Sequence, residues 1–191
     1  MSRSGRAPAT DAAVIARSVD EPAAFAELFE RRFSVIYRFL CLRVGEQTAG
    51  DLASETFVIA FRRRAEYDVT RPDSRPWLFG IAANLAREQQ RSERRRRETW
   101  LRLVRERPPE SEDDVLAPVD AEMDSETFRA ALAELSPEAR DLLLLFGCVG
   151  LSYEEIAEAL SLPLGTVRSR IHRLRHKLSK RLRLPVEEVT A

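Results

Sequence analysis

The chain has 191 residues, 44% of them hydrophobic, and its 31 basic residues balance 31 acidic ones, so bulk charge alone indicates no polyanionic partner. Seven glycines and few alternating β-branched runs argue for an all-α protein, and the length allows one domain or two small ones. The two cysteines, Cys41 and Cys148, lie far apart in apolar runs with no CxxC pair, which argues against a zinc site or a disulfide framework and reads as buried thiols in a reducing cytoplasm.

Residues 1–20 are rich in Ala, Ser and Arg, lack the apolar core of a signal peptide and are expected to form a flexible leader. From Pro22 the pattern turns helical: FAELFERRFSVIYRFLCLRV carries Phe25, Leu28, Phe29, Phe33, Ile36, Tyr37 and Leu40 at helical spacing. GEQTAG is expected to break it. A second helix follows in DLASETFVIAFRRRAEY, with Leu52, Phe57, Val58 and Phe61 facing inward. DVTRPDSRP, with two prolines, must be a loop. PWLFGIAANLAREQQRSERRRR resumes as a helix with Pro76 at its start.

The chain then changes character. RSERRRRETWLRLVRER is strongly basic, and residues 110–126 hold eight acids and no base, with Pro118 among them. This is linker composition, and it reads as a solvated tether, as a segment lying across a basic partner, or as a mimic of nucleic acid. FRAALAELSPEARDLLLLF gives two helices, with Ser136 capping the second and Pro137 in its first turn. The run LLLLFGCVGL at 142–151 is too short to span a bilayer, so no membrane insertion is expected.

Ser152 followed by Glu155 is a capping box opening LSYEEIAEAL. SLP interrupts that helix, and Pro163 fits the first turn of the next. Residues 165–183 hold eight Lys or Arg, two His and no acid. Val167, Ile171, Leu174, Leu178 and Leu182 fall within a sector of roughly 80° on the helical wheel, and Arg168, Ser169, His172, Arg173, His176 and Lys180 point away from it. Two helices with a short turn, the second basic, form a helix-turn-helix, whose second helix lies in the major groove. Arginine pairs with guanine through two hydrogen bonds, so Arg168 and Arg173 are the base-reading candidates, with Ser169 and His172 beside them. A solvated charged face is the plainer reading of such a run.

SPEARDLLLLFGCVGLSYEEIAEALSLPLGTVRSRIHRLRHKL resembles region 4 of extracytoplasmic-function (group IV) sigma factors of bacterial RNA polymerase. DLASETFVIAF resembles region 2.2, and YDVTRPDSRPWLFGIAANLAREQQR resembles regions 2.3 and 2.4. The resemblance covers about residues 22–183. It implies two small helical domains joined by a flexible charged linker: a sigma-2 domain over 21–97, a linker over 98–124, a sigma-4 domain over 125–184 and a tail over 185–191. Sigma-2 would dock on the clamp helices of the largest core RNA polymerase subunit through Asp51, Leu52, Glu55 and Phe57, and would open the −10 element of promoter DNA. Sigma-4 would sit on the flap tip and read the −35 element with Thr166, Arg168, Ser169, His172 and Arg173. An anti-sigma factor is an expected partner, and the cytoplasm the expected location.

For the −10 element the resemblance implies Tyr67, Arg71, Arg75, Trp77, Asn84, Arg87, Glu88 and Arg91. Residues 67–75 match a loop that captures an unstacked base, whose extrusion costs a few kcal/mol offset by a fitted pocket and stacking. Trp77, Asn84, Glu88 and Arg91 fall at i, i+7, i+11 and i+14, one stripe with Arg87 adjacent. That mixture of amide, cation and aromatic suits backbone and base contacts, although Trp77 serves equally as a core anchor beside Leu78 and Ile81. Asp51 and Glu55 alternatively satisfy a helix N-terminal charge preference. Three positions depart from the family pattern: Ser54 replaces a frequent Gln, Glu88 a frequent Asp or Asn, and Gly80 a common Arg. Glu88 facing DNA would repel phosphate, so it would accept from a cytosine amine or pair with Arg91.

Two other classes compete. A stand-alone helix-turn-helix regulator would bind an operator without polymerase. An enzyme would need a site, and His172 and His176 offer only an i, i+4 pair, flanked by Arg173 and Arg175, which repel a cation. With no third ligand, no phosphate-binding glycine loop and no nucleophile signature, no catalytic residue, metal or cofactor is expected.

Overall fold

The computed structural model describes residues 9–103 and 130–182, with side chains through 100 and through 178. Among the described residues the helices are α1 (Asp11–Asp20), α2 (Phe25–Val44), α3 (Glu46–Arg62), α4 (Arg75–Leu103), α5 (Pro137–Gly147), α6 (Tyr153–Leu160) and α7 (Leu164–Leu182), with a further helical stretch over 130–133 before α5 and 3-10 turns at Pro22–Ala24 and Arg64–Glu66. Among the described residues there is no strand.

In the first half, α2 and α3 pair as a hairpin and α4 packs across both. Gly45 makes the corner with φ of 83°, a left-handed value that a side chain resists, and its amide donates to the Cys41 carbonyl at 3.1 Å. Leu78, Phe79, Ala82, Ala83 and Ala86 put the apolar stripe of α4 into the core, where Phe79 meets Phe39 edge to face at 5.2 Å.

In the second half, Ser136 Oγ accepts from the Ala139 amide at 3.3 Å and starts α5 with Pro137 in the first turn. The capping box of α6 is formed: Glu155 donates its amide to Ser152 Oγ at 3.1 Å, and Ser152 donates its amide to Glu155 Oε2 at 2.7 Å. Ser161, at φ of 53°, turns the chain toward α7, whose Val167 and Ile171 are wholly buried. The buried apolar residues of both halves belong to one continuous cluster, with α4 against α6 and α2 against α5.

Several expectations require correction. Residues 11–20 are not a loose leader. Thr10 caps α1 by accepting from Ala13 at 3.2 Å, Val14 and Ile15 are fully buried, and buried Asp11 accepts from Arg32 Nε at 2.8 Å and Ser74 Oγ at 2.7 Å. GEQTAG does not interrupt the helices beyond Gly45, because α3 starts at Glu46. Val58, expected to face inward, is 47% exposed, and Phe29 is 39% exposed although one side of its ring meets Phe33 and Phe57. Residues 98–103, assigned to the linker, continue α4. Cys148 is exposed, because it lies just past the end of α5, whereas Cys41 is buried within α2. Pro163 stands just before α7 and its carbonyl accepts from Thr166 and Val167. Most of the expected linker, residues 104–124, and the tail at 185–191 lie outside the described residues.

Candidate nucleic-acid interface

The second helix of the helix-turn-helix presents the face its periodicity requires. Arg168, Ser169, His172 and Arg173 are exposed and Thr166 is half-buried. Arg168 Nη2 bridges to Glu154 Oε1 of α6 at 3.0 Å, both side chains being more than half exposed. Arg173 Nε donates to the Ser169 carbonyl at 3.2 Å and Ser169 Oγ donates to that of Thr166 at 3.1 Å. These weak, exposed tethers hold the side chains along the outer face of α7. Behind them, Phe146 and Tyr153 stack with ring centroids 5.3 Å apart, and the Arg175 guanidinium lies over Phe146 at 5.8 Å. Arg175 thus supports the packing of α7 on α5 and α6.

A second cationic region runs along the loop before α4 and the outer face of α4. Asn84, Glu88 and Arg91 are exposed and, with Arg87 and Arg95, line a shallow polar concavity. The Glu88–Arg91 pair that the sequence allows does not form among the described residues. Tyr67 is not a free stacking ring: it is 7% exposed, 4.9 Å from Trp77, and its hydroxyl lies 2.8 Å from the Arg71 carbonyl and 3.1 Å from that of Asp73. Burial, with Asp11 and Asp73 nearby, raises its phenol pKa to about 12. Tyr67 therefore shapes the loop from inside, and half-buried Trp77 packs on it. Thr70 donates its hydroxyl to Asp68 Oδ1 at 2.7 Å and its amide to the same oxygen at 3.1 Å, the latter an Asx turn, and together they hold the Asp68 carboxyl below its usual range. Arg75 Nε donates to Asp73 at 2.6 Å.

Several of these cations meet the second half of the chain. Arg87 Nε lies 3.0 Å from Asp141 Oδ2, Arg71 bridges to Glu158, and Arg75 Nη1 reaches the Val149 carbonyl at 3.5 Å. Asp141 is wholly buried and also binds Arg43 Nε at 2.5 Å. No sequence pattern announces these pairings, because their partners stand 54 to 98 residues apart.

On α3, Asp51 and Glu55 are exposed one turn apart, as a docking face needs. Leu52 and Phe57 are instead buried in the core, Phe57 lying 5.0 Å from the Phe29 ring, so they support the helix from within. Val58, one turn beyond Glu55, is exposed, and so is Phe29 of α2, whose ring meets Phe57. Helical periodicity missed both, because a stripe broad enough to include them looks like core.

The model for Sigma-70 region 2 matches residues 26–96, and the model for Sigma-70, region 4 matches residues 125–178. The ECF RNA polymerase sigma factor EcfG of Rhodopseudomonas palustris is 35% identical over 137 residues, which are 69% of this chain and 69% of that protein. The ECF RNA polymerase sigma factor SigE of Mycolicibacterium smegmatis is 36% identical over 156 residues, 80% of this chain but 59% of that longer protein. The solved structure of CnrH in complex with the cytosolic domain of CnrY superposes with a TM-score of 0.65 at 27% identity, covering 92% of this chain and 99% of that one.

Proposed function

The chain belongs to the extracytoplasmic-function sigma factors of the sigma-70 family, and on that premise we propose that it binds core RNA polymerase and directs promoter-specific initiation. In this reading α7 enters the major groove of the −35 element with Arg168 and Arg173 on base edges and Thr166, Ser169 and His172 beside them. The loop over 67–75 and the Asn84, Arg87, Glu88, Arg91 face of α4 engage the −10 element. Melting needs no ATP, because the separated strand is bound better than the duplex. Asp51 and Glu55 meet a basic clamp surface, with exposed Val58 on the same helix. The chain is a specificity subunit with no chemistry of its own, acting in the cytoplasm. Among the described residues, no helix is long and apolar enough to cross a membrane.

The observation that supports this most strongly is the presence of both halves in one chain, in family order: a helix-turn-helix with an acid-free outer face on α7, and a region 2 helix bearing a second polar and cationic face. A stand-alone regulator has no use for the second of these. An anti-sigma factor is proposed as a further partner, because exposed Phe29 and Val58 need a cover when core enzyme is absent. Run-off transcription with purified core enzyme on a promoter library tests the reading. Discrete start sites that require both the chain and core enzyme are expected, and transcription indifferent to the chain overturns it.

A further inference from the structure

A cavity of about 210 Å³ opens where α2, the start of α4 and the end of α5 meet. Its floor is apolar, built from buried Phe39, Leu42 and Leu144. Its rim is cationic, built from Arg32, Arg38 and Arg75. A buried water needs two to four polar partners, and the side chains of this floor offer none. An apolar cavity of about 150 Å³ is already large enough to take up benzene, so this one has room for a ring with a polar group at the rim.

The three arginines differ in how their charge is met. Arg32 Nε donates to Asp11 Oδ2 at 2.8 Å, and Arg75 Nε donates to Asp73 Oδ2 at 2.6 Å. Arg75 Nη1 also reaches the Val149 carbonyl at 3.5 Å, which fixes it at the edge of the cavity. Arg38 is exposed and has no ion-pair or hydrogen-bond partner among the described residues. Three cations therefore face two carboxylates, and one positive charge is left over at Arg38. We infer that this cavity binds a small organic monoanion, a carboxylate carried on an apolar body about the size of an aromatic ring. The ring lies on Phe39, Leu42 and Leu144, and the carboxylate takes the planar fork of the Arg38 guanidinium through two parallel hydrogen bonds. A dianion would leave one of its charges uncompensated, and a neutral guest gains nothing from Arg38.

Both halves of the chain contribute to the site, Phe39, Leu42 and the arginines from the first, Leu144 and Cys148 from the second. Arg75 also belongs to the proposed −10 set, but the site uses only its place at the rim, so the inference does not rest on that assignment. A ligand held here binds the folded chain and not the unfolded one. At ten times its Kd it raises the melting temperature by about 3–6 °C.

The chain carries its own reporter of occupancy. Cys148 lines the cavity and is exposed, whereas Cys41, the other cysteine, is buried. The test uses the full chain with benzoate as the probe, and reads the rate of Cys148 alkylation by iodoacetamide in a mass spectrometer. Benzamide has the same shape without the charge, and acetate has the charge without the ring. Benzoate is expected to bind with a Kd on the order of 1 mM and, at ten times that concentration, to slow alkylation about tenfold. Benzamide and acetate at the same concentration are expected to slow it by about twofold or less. Arg38→Ala is expected to raise the benzoate Kd about tenfold and to leave benzamide unchanged. Should that variant lose helical circular dichroism, Arg38→Gln replaces it under the same criterion. Equal protection by benzamide would make the cavity an apolar crevice without selectivity for anions, and equal protection by acetate would reduce the effect to surface charge; either overturns the inference. So does a lack of protection at about 10 mM benzoate, or a folded Arg38 variant that binds benzoate as the wild type does.

Discussion

Arg43 of α2 and Asp141 of α5, 98 positions apart in sequence, form an ion pair at 2.5 Å with both side chains wholly buried. Asp141 holds Arg87 with its other oxygen, while Gln90 donates its amide to the Arg43 carbonyl at 3.0 Å. One carboxylate thereby links three helices drawn from both halves.

Removing that carboxylate leaves a buried guanidinium without a counter-charge, a loss of about 3–5 kcal/mol if the halves stay together. Parting the halves hydrates Arg43 and avoids most of the loss. The shared core predicts a single calorimetric unfolding transition for the wild type, and Asp141→Ala is expected to split it into two. A single transition at the wild-type temperature in the variant would show that the pair does not hold the halves together.

Arg173 is exposed and its Nε donates to the Ser169 carbonyl, so its truncation leaves the buried core intact. Arg173→Ala is expected to weaken −35-dependent transcription by about 1–3 kcal/mol, the worth of a bidentate arginine–guanine pair, with retention by core enzyme intact. Promoter output equal to wild type would remove Arg173 from the base-reading set.

The acids of α3 are tested by charge reversal. Asp51→Lys with Glu55→Lys is expected to lower affinity for core enzyme about tenfold, about 1.4 kcal/mol, with the effect shrinking as salt is raised. Both side chains are exposed, so the fold should be retained. Normal retention on immobilised core would cancel the assignment.

Asp11 gives the first half a specific acid sensitivity. Burial pushes its carboxyl pKa up, but hydrogen bonds from Ser74 and Arg32 and the Arg32 charge outweigh that and hold it below the ordinary 3.8. A depressed folded pKa means that the stabilisation is fully present above 3.8 and is lost as pH falls through the lower folded value. The urea midpoint should accordingly drop below about pH 3.8, and Asp11→Asn should flatten that drop while costing about 1.5–3 kcal/mol near neutrality. An unchanged pH profile in Asp11→Asn would show that another carboxylate governs acid unfolding.

What was legible in the sequence follows from what is local. The Ser152–Glu155 capping box, the Ser136–Pro137 helix start and the apolar face of α7 depend on residues within a few positions of one another, and the fold honours each. The polar stripe of α4 was legible for the same reason. Features set by long-range packing were not. Asp11 lies in an Ala- and Arg-rich stretch that reads as loose until Ser74 and Arg32 are brought to it. Tyr67 looked like a stacking ring because its loop sequence says nothing of the Trp77 face that covers it. Gly80 read as a missing cation, whereas a Cβ there would meet the carbonyl of Ala159, 79 residues further along.

The most direct measurement is promoter opening, followed by permanganate reactivity of thymines in the −10 region, with the chain alone, core enzyme alone and the two together. Reactive thymines at a defined distance downstream of a protected −35 element, only when both are present, are the predicted result. Reactivity with core enzyme alone, or a full duplex footprint from the chain without core enzyme, would contradict the assignment of this protein as a sigma factor.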